Sequence, residues 1–302
     1  MNETWNCTVN STDVLPDRYR YTLLAMYTVI FVVGISSIAL MIDTLKSSGR
    51  SVTTMAVLNL IAAHILFLLT VPFRIYFYIC CHWDLGSGFC KLISAMIHAH
   101  IYIVFIFYII ILVVRYITFF SRRDRLEFYR RVHALAASVA IWVVILVVIF
   151  PVTLVEYGSD TKKEKYQCFD YGNALRGKGV AIINYLLCAV LLLVTSLLLA
   201  VQLWILGMIY KKYGNTALSH QEFWAQVKSL CFVMVILICF APYHAFRIYY
   251  VTIIFSEADS HLELQWNNEI FLAVTAFSCW DMLIFVNTKR WSSIQSRCAI
   301  CR

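Results

Sequence analysis

Seven long apolar runs dominate the chain and limit what it can become. They lie at about Tyr21–Leu45, Val52–Ile79, Phe89–Phe120, Val132–Val155, Gly179–Tyr210, Val227–Phe255 and Ile270–Val286. A helix that crosses a bilayer needs roughly 20 consecutive apolar residues, and each run comes close to that length or exceeds it. A barrel strand needs only about 10 residues of alternating pattern, so the runs read as helices. Of the 302 residues, 61% are hydrophobic and 14% charged, against about 25% charged in a soluble domain. Disordered, collagenous and ordinary cytosolic folds are excluded. No Gly/Pro/Ser-rich linker, internal repeat or low-complexity segment divides the chain. The expectation is one all-α membrane domain: a seven-transmembrane helix bundle over residues 21–288, after a tail 1–20 and before a tail 289–302.

The polar start, Met1–Asp17, has no cationic n-region and no apolar core, so it does not read as a signal peptide. It carries Asn-x-Ser/Thr acceptors at Asn2, Asn6 and Asn10, which suggests a glycosylated extracellular N-terminus. Loop charge gives an independent orientation. With the N-terminus outside, the inner side receives Lys46, Arg50, Arg122, Arg123, Arg125, Arg130, Arg131, Lys211, Lys212, Lys228, Lys289, Arg290, Arg297 and Arg302. The last outer loop is acidic, with Glu257, Asp259, Glu263 and Glu269. Both signals place the N-terminus outside and the C-terminus inside, which an odd number of spans satisfies. The net charge of +8 therefore points to a membrane surface and not to nucleic acid.

Eleven cysteines leave at least one unpaired. Cys188, Cys231, Cys239 and Cys279 lie inside apolar runs and read as small buried hydrophobes. The lone Cys298–Cys301 pair is no zinc pattern. No nucleophile–base set or metal-ligand spacing argues for catalysis, so no enzyme activity, cofactor or metal is expected.

Motifs narrow the seven-helix class. The third run starts at Cys90 and ends Val114-Arg115-Tyr116; the second contains Asn59-Leu60-Ile61-Ala62-Ala63-His64; the fourth contains Trp142. Cys168 precedes the fifth run, the sixth holds Cys239-Phe240-Ala241-Pro242-Tyr243-His244, and the seventh ends Asp281-Met282-Leu283-Ile284-Phe285. In this order they resemble the rhodopsin-like (class A) G-protein-coupled receptors, and within them the branch of nucleotide, protease-activated and lipid receptors. The resemblance implies a multi-pass plasma-membrane receptor in contact with membrane lipids. It would pass the signal of an unknown extracellular ligand to a heterotrimeric G protein, with arrestin as a further partner. It implies a disulfide between Cys90 and Cys168, which both face the oxidising side; a second bridge from Cys7 to Cys80 or Cys81 stays open. It also implies a G-protein contact at Arg115 and Tyr116, rimmed by Arg122, Arg123, Lys211, Lys212 and Lys228.

The departures from the family pattern fall on its switching positions. Val114 stands where an acid normally restrains the arginine. His64 stands where an aspartate normally binds sodium, and imidazole is a poor sodium ligand; the usual sodium site is expected to be lost, and His64 can pair with Asp281 instead. Met282 replaces the proline of the seventh-helix motif and Phe285 its tyrosine. The first run has Gly34-Ile35-Ser36-Ser37 where the family shows Gly-Asn, and the fifth run lacks proline. Pro242 remains, so a bend in the sixth helix is expected. The fold is kept while the switch is altered, which leaves raised basal activity and weak signalling both open.

The candidate ligand pocket comprises Arg74, His98, Tyr102, Phe240, Tyr243, His244, Arg247 and Glu269, with His100 as a further polar group on the third run. Arginine suits anionic groups, so an anionic nucleotide or lipid is one reading. An internal ion pair, such as Arg247 with Glu269, is the other. Tyr76-Phe77-Tyr78 and Tyr249-Tyr250 read as an interfacial aromatic belt. Thr288–Ile300 reads as a short amphipathic eighth helix on the inner leaflet, with Cys298 and Cys301 as palmitoylation candidates. The rival functions are a weakly signalling or decoy receptor and, behind it, a small transporter or channel.

Overall fold

The computed structural model describes residues 16–46, 52–120, 138–144, 147, 168–169, 178–256 and 262–281. Among the described residues every regular element is helical. The first-run helix is Asp17–Lys46 and the third-run helix is Ser87–Phe120. The fifth-run helix is Lys178–Tyr213. Among the described residues, five helices are long and apolar enough to cross a membrane: Asp17–Lys46, Thr54–Cys80, Ser87–Phe120, Lys178–Tyr213 and Glu222–Ser256. The fourth run is described only at 138–144, where it is helical, and at 147. The seventh run is described through Asp281.

Packing follows the inverted logic of a membrane protein. Valine, leucine and isoleucine point outward, as at Val32, Leu69, Ile182, Leu193, Leu197 and Ile238. Polar groups turn inward: Ser37, His64, Arg74, His98, His100, Gln202, Arg247, Asn268, Glu269 and Asp281 are all buried. Apolar surface loses nothing against lipid tails, whereas a polar group in hydrocarbon must find a partner.

Among the described residues two prolines, Pro72 and Pro242, shape the bundle. Pro72 cannot donate a backbone hydrogen bond, and the second run breaks just before it. The helix Val52–Leu68 ends, Leu69 and Thr70 form a turn, and Val71–Cys80 resumes. The second run is thus one span interrupted at Leu69 and Thr70, where an unbroken helix was expected. Pro242 follows a single wide turn, Ile236–Phe240, between Gln221–Val235 and Ala241–Ser256. A wide turn ahead of a proline is a recurrent cause of helix bending.

The seventh segment begins earlier than its apolar run. Leu262–Thr275 is α-helical and continues into a tighter turn at Ala276–Trp280. Glu263 and Glu269 therefore lie in a helix and not in the outer loop, and Glu269 is buried. The helix starts early because its first turns alternate polar and apolar faces, a signal that a search for unbroken apolar runs passes over.

Small residues let the helices meet. A Cβ on Gly34 would come within 3.0 Å of the Leu68 side chain and 3.6 Å of Cys279 Cβ. One turn further on, Ser37 donates to the Cys279 carbonyl at 2.8 Å. Asn59 joins the second and fourth runs: its amide donates to Ser138 Oγ at 3.0 Å, and its carbonyl accepts from Trp142 Nε1 at 2.9 Å.

Candidate receptor sites at the two ends of the bundle

The end of the bundle that the expected orientation makes the outer one is assembled around the Cys90–Cys168 disulfide. Trp83, Cys90, Ile93, Cys168 and Phe169 form one apolar cluster, and Trp83 Nε1 donates to the Gly86 carbonyl at 2.8 Å. The bridge carries Phe169, whose φ is 71°, over the bundle mouth. There the Arg74 guanidinium lies 4.4 Å from its ring centroid. Cys81 is also disulfide-bonded, whereas Cys80 keeps a free thiol; Cys7 lies outside the described residues.

Among the described residues Arg74 reaches Tyr27, Ile93, Phe169 and Glu269. It donates to Tyr27 Oη at 3.3 Å and to the Ile93 carbonyl at 3.4 Å, faces Phe169, and lies 3.8 Å from Glu269. Arg247 sits on the sixth-run helix, in Ala241–Ser256. Its Nε donates to Asn184 Oδ1 at 3.3 Å and a terminal nitrogen donates to Asn268 Oδ1 at 3.2 Å. Glu269 thus pairs with Arg74, while Arg247 donates to the two asparagines. His98 lies within electrostatic range of Arg74, Arg247 and His244. His244 Nδ1 is 3.6 Å from Cys188 Sγ. Phe240 and Tyr243 are buried beneath, with Tyr102 partly buried. Among the described residues, this buried region holds two guanidiniums and one carboxylate, a surplus of one positive charge.

Lower in the bundle, Tyr108 donates to Asp281 Oδ2 at 2.5 Å, and His64 Nε2 lies 3.3 Å from Asp281 Oδ1. The second contact has ion-pair distance but lies off a hydrogen-bond line. His64 Nδ1 is 2.9 Å from His100 Nε2. His100 therefore faces the centre of the bundle, away from the outer pocket group.

At the inner end Arg115 crosses to the sixth-run helix. One of its nitrogens donates to the Ala225 carbonyl at 3.2 Å and to Ser229 Oγ at 3.1 Å, and its guanidinium lies 5.4 Å from the Phe232 ring. Val114 and Tyr116 are partly buried beside it, and Lys211, Lys212 and Lys228 are exposed on helices that flank it. The expected positions Arg122, Arg123, Met282, Phe285, Cys298, Cys301, Asn2, Asn6 and Asn10 lie outside the described residues.

Several contributors escaped sequence reading: Tyr27, Trp83, Phe169, Asn184, Ser229 and Asn268. Asn184 and Asn268 had a usable signal, since an amide inside an apolar helix needs a buried partner. Ser229 had none.

The chain matches the family of 7 transmembrane receptors (rhodopsin family) over residues 19–281. It is 41% identical over 286 residues to the human probable G-protein coupled receptor 141, covering 93% of this chain and 94% of that protein. It is 26% identical over 275 residues to the mouse probable G-protein coupled receptor 34, covering 87% of this chain and 72% of that protein. It is 22% identical over 235 residues to the human N-arachidonyl glycine receptor, covering 76% of this chain and 70% of that protein.

Proposed function

The chain belongs to the rhodopsin family of seven-transmembrane receptors, and from that premise we propose that it senses an anionic extracellular ligand at its outer end and drives a heterotrimeric G protein from its inner end. It acts at the plasma membrane with the N-terminus outside and seven spans. The observation that carries the ligand reading is the placement of two buried guanidiniums, Arg74 and Arg247, at this end of the bundle. The planar guanidinium fork suits the oxygens of a carboxylate or phosphate. Two neutral amides, Asn184 and Asn268, accept from Arg247 at 3.3 and 3.2 Å and orient its guanidinium. The name of one relative, the N-arachidonyl glycine receptor, points to a fatty-acyl amino acid, and a ligand of that class has a carboxylate and an apolar tail. The long apolar walls of the bundle suit such a tail.

The coupling reading rests on Arg115. Among the described residues its contacts to the sixth-run helix are one carbonyl, one hydroxyl and one ring face. A G-protein segment that offers carbonyl oxygens can replace them at little cost. Tyr116, Arg122, Arg123, Lys211, Lys212 and Lys228 would form the rim, and arrestin would use the same face.

The test is a panel of fatty-acyl amino acids, anionic phospholipids and nucleotides, each with a neutral analogue, read as G-protein activation. At least one anionic member should activate the native receptor. Arg247→Gln should weaken its potency about tenfold or more, the worth of a charge-assisted hydrogen bond. A neutral analogue of equal potency, or an unshifted Arg247→Gln response, would defeat the ligand reading. A receptor displayed at the surface that engages no G protein would return the decoy reading.

A further inference from the structure

Midway along the third-run helix, three side chains from three separate helices converge. His64 comes from the second run, His100 from the third and Cys279 from the tight turn Ala276–Trp280 of the seventh. All are buried, and their donor atoms all lie within 4.8 Å of one another. His64 Nδ1 is 2.9 Å from His100 Nε2; Cys279 Sγ is 3.3 Å from His64 Nδ1 and 3.8 Å from His100 Nε2.

These separations can be compared with a metal centre. Tetrahedral zinc holds imidazole nitrogen at about 2.0–2.1 Å and thiolate sulfur at about 2.3 Å, which sets the donors about 3.3 to 3.6 Å apart. The three donors already stand within roughly half an ångström of that spacing, before any ion draws them to a common centre.

The surroundings prepare the same chemistry. The other nitrogen of His64, Nε2, faces Asp281 at 3.3 Å, and the second oxygen of Asp281 accepts from Tyr108 at 2.5 Å. The carboxylate stands at ion-pair distance behind Nε2, and Nδ1 is the nitrogen that His64 turns toward the other two donors. The His100 ring stacks on Phe67 at 4.4 Å, and Ser37 holds the main chain of Cys279. Each ligand is thus oriented from behind.

We propose that His64 Nδ1, His100 Nε2 and Cys279 Sγ form a binding site for a divalent metal ion of the zinc class, with a fourth position open. Hard ions such as sodium, calcium and magnesium require oxygen donors, whereas nitrogen and thiolate sulfur select zinc and its neighbours. Charge supports the assignment. Binding displaces the thiol proton of Cys279 to solvent. One dication, one thiolate and the Asp281 carboxylate then sum to zero, which the apolar interior tolerates. The ion would clip the second, third and seventh runs together.

The experiment uses the full-length receptor, purified in detergent after chelator treatment and titrated with cobalt(II) as a spectroscopic stand-in. One equivalent should bind per chain, with visible bands of a four-coordinate ion and a near-ultraviolet thiolate-to-cobalt band. Zinc should bleach both. Cys279→Ser should remove the near-ultraviolet band. Asp281→Asn should weaken binding about 10- to 100-fold, as loss of a ligand's supporting carboxylate does elsewhere, and His100→Phe should weaken it further. Elemental analysis of receptor from zinc-supplemented cells should show stoichiometric zinc. Native receptor that takes up no cobalt and carries no zinc would overturn the proposal whatever the variants do. So would a thiolate band that survives in Cys279→Ser, because the ion would then sit on another cysteine.

Discussion

The arginines at the two ends of the bundle are held in different ways. Arg74 and Arg247 at the outer end are fully enclosed, and between them they engage a carboxylate, two amides, a phenol, a carbonyl and aromatic faces. Arg115 at the inner end is only partly buried and crosses to a carbonyl, a hydroxyl and one ring. The difference follows from solvent. A guanidinium deep in hydrocarbon persists only when its surroundings supply what water would have supplied. One at the inner mouth keeps part of its hydration and can make do with neutral partners. The outer arginines are thereby built into the fold, while the inner one rests on neutral contacts among the described residues, which under the proposed function a competing acceptor would replace.

If that contrast is correct, Glu269→Gln should have the largest effect. It removes the buried acid beside Arg74, and breaking a buried pair costs about 3–5 kcal/mol. A clear fall in melting temperature and in surface expression is expected, with partial rescue by an anionic ligand. An unchanged melting temperature would show that Arg74 is not bound into the fold as described. Asn268→Ala should come next, at about 1.5–3 kcal/mol for a lost hydrogen bond to a charged group. Its melting temperature should fall less than that of Glu269→Gln; an equal fall would place Arg247 in the same ion pair as Arg74. Tyr27→Phe removes one long contact to Arg74 and should cost at most about 1 kcal/mol, visible as a small downward shift. A shift as large as that of Asn268→Ala would make the phenol a principal partner of Arg74.

Much of this was written plainly in the sequence, and what was hidden has physical causes. The apolar runs are long enough to be read directly, and the family motifs led to Arg115, Asp281 and the Cys90–Cys168 bridge. The break before Pro72 was also within reach, because a proline without an N–H interrupts any helix that runs into it. The early start at Leu262 was hidden by its polar first turns. The pairing of Glu269 with Arg74 joins the seventh segment to the second, and no spacing along one helix encodes such a contact. The same holds for His64, His100 and Cys279, whose convergence needs three helices to be placed. Sequence motifs report ligands that are neighbours in the chain, whereas a helical bundle takes one from each wall.

The central claim is that Arg115 is the coupling residue and that neutral contacts to the sixth-run helix restrain it. It is tested by ligand-free G-protein activation of the native receptor, Arg115→Ala and Ser229→Ala at matched surface expression. Arg115→Ala is expected to fall to the level of cells lacking the receptor. Ser229→Ala should rise about fivefold, as loss of a restraint worth about 1 kcal/mol would give. Basal activity that survives Arg115→Ala, or a Ser229→Ala variant that falls with it, would contradict the claim.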